Sequence, residues 1–236
     1  YSHAKHEEIK SFKHFLKNLG LHEVMNYSMI SEDIAKKANL NREAHISLKN
    51  TISEEIKLMR THLLPSLFMN IKSNEGKREV LKFFEIAKTY KKRENDLPDE
   101  KYKLGIVVNT NILDLKGILD SLLEELHIEE FEIKQSKLEF LSKQKQAEIY
   151  VNGHRLALYG ELSPQHKLRY GIRSQVYSAV LDFGVLTKVA RSFSRYKPLN
   201  QFSEIKLDLT YSSNPELTLS GLKKIAFESS PLLQKL

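Results

Sequence analysis

Met59-Arg60-Thr61-His62-Leu63-Leu64-Pro65-Ser66-Leu67, followed by Leu81-Lys82-Phe83-Phe84-Glu85-Ile86-Ala87-Lys88-Thr89-Tyr90, decides the architecture of this chain. In the first stretch Thr61 is suited to cap a helix and Pro65 to occupy its first turn. Leu64, Leu67, Phe68 and Ile71 then share one apolar face. The second stretch is apolar on both sides of a two-residue period, which predicts a strand buried inside a sheet.

Working outward, Ile9, Phe12, Phe15, Leu16 and Leu19 recur at helical spacing, and Gly20 stands where a left-handed C-terminal cap is wanted. Val24, Met25, Tyr27 and Met29 read as a strand, and Ser31 opens a short helix through Ala38. Ile46-Ser47-Leu48 reads as another strand, and Thr51-Ile52-Ser53-Glu54 has the form of a capping box. On the other side, Lys91 to Glu100 is a charged, proline-broken turn, expected as a surface hairpin loop before a strand from Leu104 to Val108. Asp114 is the expected cap of a helix striped by Leu115, Ile118, Leu119, Leu122, Leu123 and Leu126.

Phe131 to Ile133 and Leu138 to Leu141 are strand candidates. Ala147 to Val151 and Arg155 to Leu162 flank Asn152-Gly153, a tight-hairpin signal because both turn residues must tolerate positive φ. Ser163-Pro164 marks a helix start, Val176 to Phe183 a strand, and Gly184 to Ala190 a short helix. Antiparallel hairpins with flanking helices make an α+β arrangement, not a series of βαβ units. The character changes near Lys197-Pro198: Ile205, Leu207 and Leu209 alternate as a strand, and Leu219, Leu222, Ile225 and Ala226 mark a helix. One strand and one helix cannot bury their faces alone, so a domain of 1–197 is expected, followed by an incomplete one over 198–236.

The 236 residues, 41% hydrophobic and 28% charged, are those of a globular protein able to bury a substantial core. No apolar run approaches the roughly 20 residues that span a bilayer. The start lacks the apolar core of a signal peptide, and the absence of cysteine removes disulfides and thiolate metal sites. The first gives no indication of export and the second is compatible with a reducing cytoplasm, which is the expected compartment. A net charge of +7 permits attraction to RNA, and it equally suits a lysine-rich soluble protein.

Candidates for chemistry are sparse. The nine glycines are scattered and form no phosphate loop. His3 and His6 have no further ligands at metal-site spacing, and His62, His154 and His166 fall near turns and helix ends, as solvated or capping residues would. Glu85 and Glu161 lie in apolar strands, where a carboxylate must be paired, solvated or shifted in pKa. Each is either an acid–base group or a structural carboxylate, with Arg60 a candidate partner for one of them. Basic residues interleave with tyrosines at Lys88 to Arg93, at Lys167 to Tyr170 and at Arg191 to Lys197, as either a solvated face or a surface meeting phosphates and unpaired bases would.

These segments resemble the bacterial phenylalanyl-tRNA synthetase beta subunit. Asn18 to Ser28 is similar to its "LG-x-x-E-V-x-x-YS" segment, Asn50 to Glu55 to "NP-x-SEE" with Thr51 for proline, and Met59 to Leu67 to "LR-T-S-L-L-P-G-L" with His62 and Ser66 exchanged. Phe84-Glu85-Ile86 resembles "FEIG", Leu115-Lys116-Gly117 "x-KG", and Tyr159 to Pro164 "x-GE-L-x-P", all in the family's order. Ala87 to Tyr90 departs from a "GRVF"-like string, Ser142 to Gln146 from an "HPGR"-like one, and Leu207 stands for the arginine of an "RD" pair.

The resemblance implies a class II aminoacyl-tRNA synthetase-like core, an antiparallel sheet flanked by helices, followed by a truncated ferredoxin-like anticodon-binding piece. It implies a catalytically silent partner of an alpha subunit in an (αβ)₂ assembly with a second beta subunit and tRNA(Phe), with ATP and magnesium used by the holoenzyme and none held here. The residues agree. Adenylate chemistry needs positioned arginines, yet Thr187-Lys188 stands where the motif 3 arginine is expected, and lysine supplies no planar fork. Phe12, Phe15, Leu16 and Leu19 are then subunit-interface candidates. Arg60, Glu85 and Glu161 are structural-pair candidates, and Lys91, Lys92, Arg93, Arg169 and Arg195 RNA-contact candidates. The alternatives are a free-standing class II-like enzyme that activates an amino acid, or a basic tRNA-binding module.

Overall fold

A computed structural model describes residues 3–51, 53, 56–94, 96–190, 203, 205–210, 212, 214, 217, 219–230, 232 and 233. The chain divides into two units, Tyr1–Phe193 and Ser194–Leu236.

The first unit is built on the buried strand. β4 (Lys82–Lys91) pairs antiparallel with β5 (Asp99–Val108) through the charged hairpin, and β5 with β9 (Tyr177–Asp182). β9 continues to β8 (His154–Leu162), β7 (Leu141–Val151) and the edge strand β6 (Glu132–Gln135). At the other edge β1 (His22–Glu23) pairs parallel with β4, giving the order β1-β4-β5-β9-β8-β7-β6. β2 (Met29–Ile30) and β3 (Leu58–Met59) form a separate two-stranded ribbon.

Because successive side chains of a strand point to opposite faces, the sheet carries two cores. On one face Phe84, Leu104, Ile106, Val108, Ala179 and Leu181 lie under α1 (His3–Asn18), α4 (Ile112–Glu125) and α6 (Phe183–Val189). On the other, Phe83, Val107 and Leu158 meet α3 (Leu64–Asn74) and α5 (Pro164–Tyr170), beside the short α2 (Glu32–Lys37). α4 buries five stripe residues, Leu115, Ile118, Leu119, Leu122 and Leu123, each contributing about 1.5–3 kcal/mol.

The caps differ from expectation. Leu63, not Thr61, precedes α3 and makes no side-chain cap, while Pro65 does fall in the first turn. The Thr61 hydroxyl lies 3.0 Å from His62 Nδ1 instead. Asn111, not Asp114, caps α4, accepting from the Asp114 amide at 2.9 Å; the Asp114 carboxylate is taken by Lys82 at 2.8 Å. Ser31 and Ser163 cap α2 and α5, and Asn152 and Gly153 turn the β7–β8 hairpin at φ 50° and 76°.

Three expected strands of the first unit are not formed as read. Val24 to Met29 is loop except for its last residue, with Met25 and Tyr27 exposed. Ile46 to Leu48 makes one bridge, Ser47 to Leu58, and Leu138 to Phe140 only leads into β7. The Thr51–Glu54 capping box includes Ile52 and Glu54, outside the described residues. In the second unit α7 (Leu219–Ser229) forms, but residues 205–210 are not a strand, and Ile205, Leu207 and Leu209 are exposed.

Two glycines show how tightly the sheet face under α3 is covered. A Cβ on Gly105 would stand 2.6 Å from Leu67 Cδ1 and 3.2 Å from Leu63 Cβ. A Cβ on Gly160 would stand 2.5 Å from the Lys145 carbonyl oxygen and 2.9 Å from Gln146 Cα, where the register of β7 shifts. Leu67 can swing a methyl aside, whereas β7 would have to move its backbone. Gly160→Ala is therefore expected to lower unfolding free energy by about 1–3 kcal/mol in urea titration, and Gly105→Ala by less. Equal stability of wild type and Gly160→Ala would contradict this packing.

Candidate functional site

Arg60 leaves β3 and turns into the sheet. It is 1% exposed, and Glu85 on β4 is 3% exposed. Arg60 Nη1 donates to Glu85 Oε1 at 2.9 Å, and Nε to the Lys88 carbonyl at 3.1 Å. The backbone joins in: the Arg60 amide donates to Ser28 O, and the Tyr90 amide to Arg60 O, both at 2.9 Å. Asn26 completes the carboxylate's shell, its amide 3.2 Å from Oε1 and its Nδ2 2.9 Å from Oε2. The Val24–Ser28 segment is thus irregular because its polar groups bind across to Glu85 and Arg60. Such a pair is structurally committed; its charges offer nothing to a substrate without breaking hydrogen bonds in a desolvated place.

Glu161 is not a partner of Arg60. Its Oε2 lies 2.7 Å from Lys145 Nζ, the lysine being solvent-facing, and hydrogen bonding to Glu161 raises the pKa of Lys145. His166, expected as a solvated or capping residue, is buried, with Nδ1 2.9 Å from Ser163 Oγ; burial and then Arg169 lower its pKa. Lys188 is exposed on α6.

Of the interface candidates, Phe12 and Leu16 are corrected by their burial. They fill the chain's own core, Phe12 ring-to-edge with Phe183 at 5.1 Å, and present no surface to a partner. Phe15 and Leu19 are only partly buried. They line a cleft of about 610 Å³ with Ile128, rimmed by Glu124, Glu125 and Glu129.

The RNA-contact candidates lie on separate elements. Lys91, Lys92 and Arg93 are exposed at the β4–β5 hairpin, where Arg93 pairs with Asp96 at 3.6 Å and Asp99 at 3.3 Å. Arg169 is exposed on α5, but its neighbour Tyr170 is buried and unable to stack on a base. Arg195 is outside the described residues. Among the described residues no cluster of His, Asp and Glu could hold a metal ion, and no helix is long and apolar enough to cross a membrane.

Sequence spacing does not reveal a second cleft, of about 630 Å³, lined from residues 72–79, Asn109 and residues 173–174. Glu75, just past the end of α3, fastens one side: Oε1 accepts from the amides of Arg173 at 2.9 Å and Ser174 at 2.7 Å and from the Ser174 hydroxyl at 2.6 Å. Asn109 fastens the other, accepting from the Leu81 amide at 2.7 Å and donating to Glu79 O at 2.9 Å.

The phenylalanyl-tRNA synthetase beta chain CLM domain, as a family model, matches residues 2–183. The chain belongs to that family. It is 30% identical to the phenylalanine–tRNA ligase beta subunit of Fusobacterium nucleatum over 94% of this chain, and 31% identical to that of Clostridium tetani over 87%. It spans only 30% and 27% of those relatives' lengths. Pyrrolysyl-tRNA synthetase structures from Desulfitobacterium hafniense share the fold: one at a TM-score of 0.65 and 17% identity covers 80% of this chain and 73% of its own. Another, at 0.63 and 16%, covers 78% and 68%. The expected mixed α+β architecture with a mainly antiparallel sheet flanked by helices is therefore the one observed.

Two outcomes follow for this CLM domain. Arg60→Met alone is expected to cost about 3–5 kcal/mol by stranding Glu85, and Arg60→Met combined with Glu85→Leu markedly less than the sum, measured as a double-mutant cycle. For Glu75, burial opposes ionisation, but the Ser174 hydroxyl and amide, the Arg173 amide and Lys72 outweigh it and hold its pKa below 4.5. A depressed carboxylate pKa stabilises the fold above 4.5 and ceases to do so as pH falls through the folded value. The stability gap between wild type and Glu75→Gln should accordingly be present at neutral pH and close on acidification. A gap that widens would overturn this.

Proposed function

We propose that this chain is the catalytically silent synthetase-like core of a phenylalanyl-tRNA synthetase beta subunit. In this reading it supports phenylalanylation of tRNA(Phe) by subunit assembly and tRNA positioning, in the cytoplasm, within an (αβ)₂ assembly. The observation that carries it is the buried Arg60–Glu85 pair: the Arg60 guanidinium is engaged by Glu85 and Lys88 O and is not held toward a reactant. The covered face at Gly105 and Gly160 supports the same reading, as does Lys188, exposed on α6, where a motif 3 arginine is expected. ATP and magnesium are then handled by the alpha subunit. Residues 198–236 are read as the beginning of a ferredoxin-like anticodon-binding domain, on the likeness of Gln201 to Asp208 to its first segment.

The half-buried apolar pair Phe15 and Leu19, in an acid-rimmed cleft, suits a partner segment with apolar anchors and a basic edge. Lys91, Lys92 and Arg169, solvent-facing, remain the residues suited to tRNA phosphates in this reading.

The test is mixing the chain with the phenylalanyl-tRNA synthetase alpha subunit. The chain alone is expected to show no phenylalanine-dependent ATP–pyrophosphate exchange, and the mixture to co-elute. Phe15→Glu and Leu19→Glu are expected to weaken association at least tenfold without shifting the thermal midpoint by more than a few degrees. Exchange activity in the isolated chain would overturn the scaffold reading and favour a free-standing enzyme.

A further inference from the structure

We infer that the cleft between the α3–β4 connection and the 171–174 loop is a binding groove for the phosphodiester backbone of RNA, a surface separate from the β4–β5 hairpin. Three cations line it without an ion pair among the described residues: Lys77, Arg78 and Arg173. Among the described residues Arg78 reaches His22 Nε2, at 3.5 Å. Lys72, also lining the cleft, donates to Gly171 O and lies 3.9 Å from Glu75. Against these four cations stand two carboxylates, Glu79 and Glu75, the second of which faces Lys72 and accepts from the Arg173 and Ser174 amides, so the lining keeps an excess of positive charge.

Unpaired surface cations are commonplace, and what distinguishes these is their mounting. Gly76 at φ 79° and the Lys77 amide bonded to Asn74 O at 3.1 Å set a tight turn directly after α3, which puts Lys77 and Arg78 on a short connection. That connection is fixed at its start by Glu75 and at its end by Asn109, which holds Glu79 O and the Leu81 amide. Arg173 is carried on the backbone that Glu75 grips. The backbone that carries the cations is thus held at these points, and little backbone ordering remains to oppose binding.

The lining also says what the anion is. Among the described residues no apolar side chain lines the cleft, so it lacks the aromatic or aliphatic anchors on which protein partners depend. Guanidinium forks match phosphate oxygens, with Ser174 and Asn109 as neutral polar neighbours. A small anion needs donors converging on one point. Here the cations come from two segments, the α3–β4 connection and the 171–174 loop, with Glu79 beside Arg78 on the first, a layout suited to a chain of phosphates that passes from one segment to the other.

The experiment measures anisotropy of a short fluorescein-labelled oligouridylate with the full 236-residue chain across a salt series. Arg78→Ala/Arg173→Ala is expected to weaken binding about tenfold or more and to reduce the log–log salt slope by roughly 1.4, about 0.7 for each single-strand phosphate that is no longer neutralised. Glu79→Gln should tighten binding several-fold, a gain that misfolding cannot imitate. Lys91→Ala/Lys92→Ala separates the surfaces: weaker binding there, with cleft variants binding like wild type, overturns the groove while leaving the scaffold reading intact. Absence of oligouridylate binding overturns it too. Displacement of the RNA by polyglutamate at equal charge would assign the cleft to an acidic protein and overturn it as well.

Discussion

The Arg60–Glu85 pair is the constraint on which the first unit depends. Removing two charges from water costs several kcal/mol per ion, and that cost is offset only where geometry and hydrogen bonds are good. Here the partners arrive from three places: Glu85 from the middle of β4, Arg60 from the turn after β3, and Asn26 from the segment leading to β2. None of these is next to another in sequence, so the pair forms only when the ribbon, the loop and the sheet are all in place. In the ladder Glu85 stands opposite Gly105, and Gly105 is the position against which Leu63 and Leu67 close. The ion pair and the approach of α3 to the sheet are therefore one local arrangement, with Arg60 the covalent link between them.

That arrangement is compatible with sharing the fold of pyrrolysyl-tRNA synthetase structures at 17% identity. Antiparallel register, two apolar faces and a helix over each are met by many residue combinations, since fold constrains volume and polarity more than identity. Chemistry constrains identity. On this sheet the face under α3 is occupied by leucines at Gly105 and by the shifted backbone of β7 at Gly160, and the buried arginine is held by a neighbouring strand. Gly160 is informative because its small size here serves the approach of β7 and leaves no opening.

Legibility follows the range over which each signal acts. The α4 stripe and the Asn152-Gly153 turn are local, and both are readable because the residues that decide them are adjacent or one helical turn apart. Caps are harder to place to the residue. Thr61 has a histidine for a neighbour to bond, and Asn111 stands a turn ahead of Asp114, which Lys82 claims from β4. Val24 to Met29 and Ile205 to Leu209 alternate as strands do, yet alternation specifies a strand only where a partner edge is available. Glu85 stands out in the sequence as a charge among apolar residues, whereas Asn26 carries no such mark. The cleft of Glu75, Asn109 and Arg173 is assembled from three distant segments, beyond the reach of any spacing rule.

The distribution of charge connects structure to use. The excess of +7 has no single meaning until each cation's partner is known. Arg60 is neutralised inside, Arg93 is tied within its own hairpin by Asp96 and Asp99, and Lys103 is bound by Asp182 at 2.6 Å. Such cations add to net charge at a distance but offer a ligand nothing until a local bond is broken. Those of the α3–β4 cleft differ because Lys77, Arg78 and Arg173 have no ion pair among the described residues, while Glu75 holds the Arg173 and Ser174 amides and offsets one cation, Lys72, at 3.9 Å. The division is then between a carboxylate directed to backbone amides, as Glu75 is, and the guanidiniums of Arg78 and Arg173, left exposed to solvent.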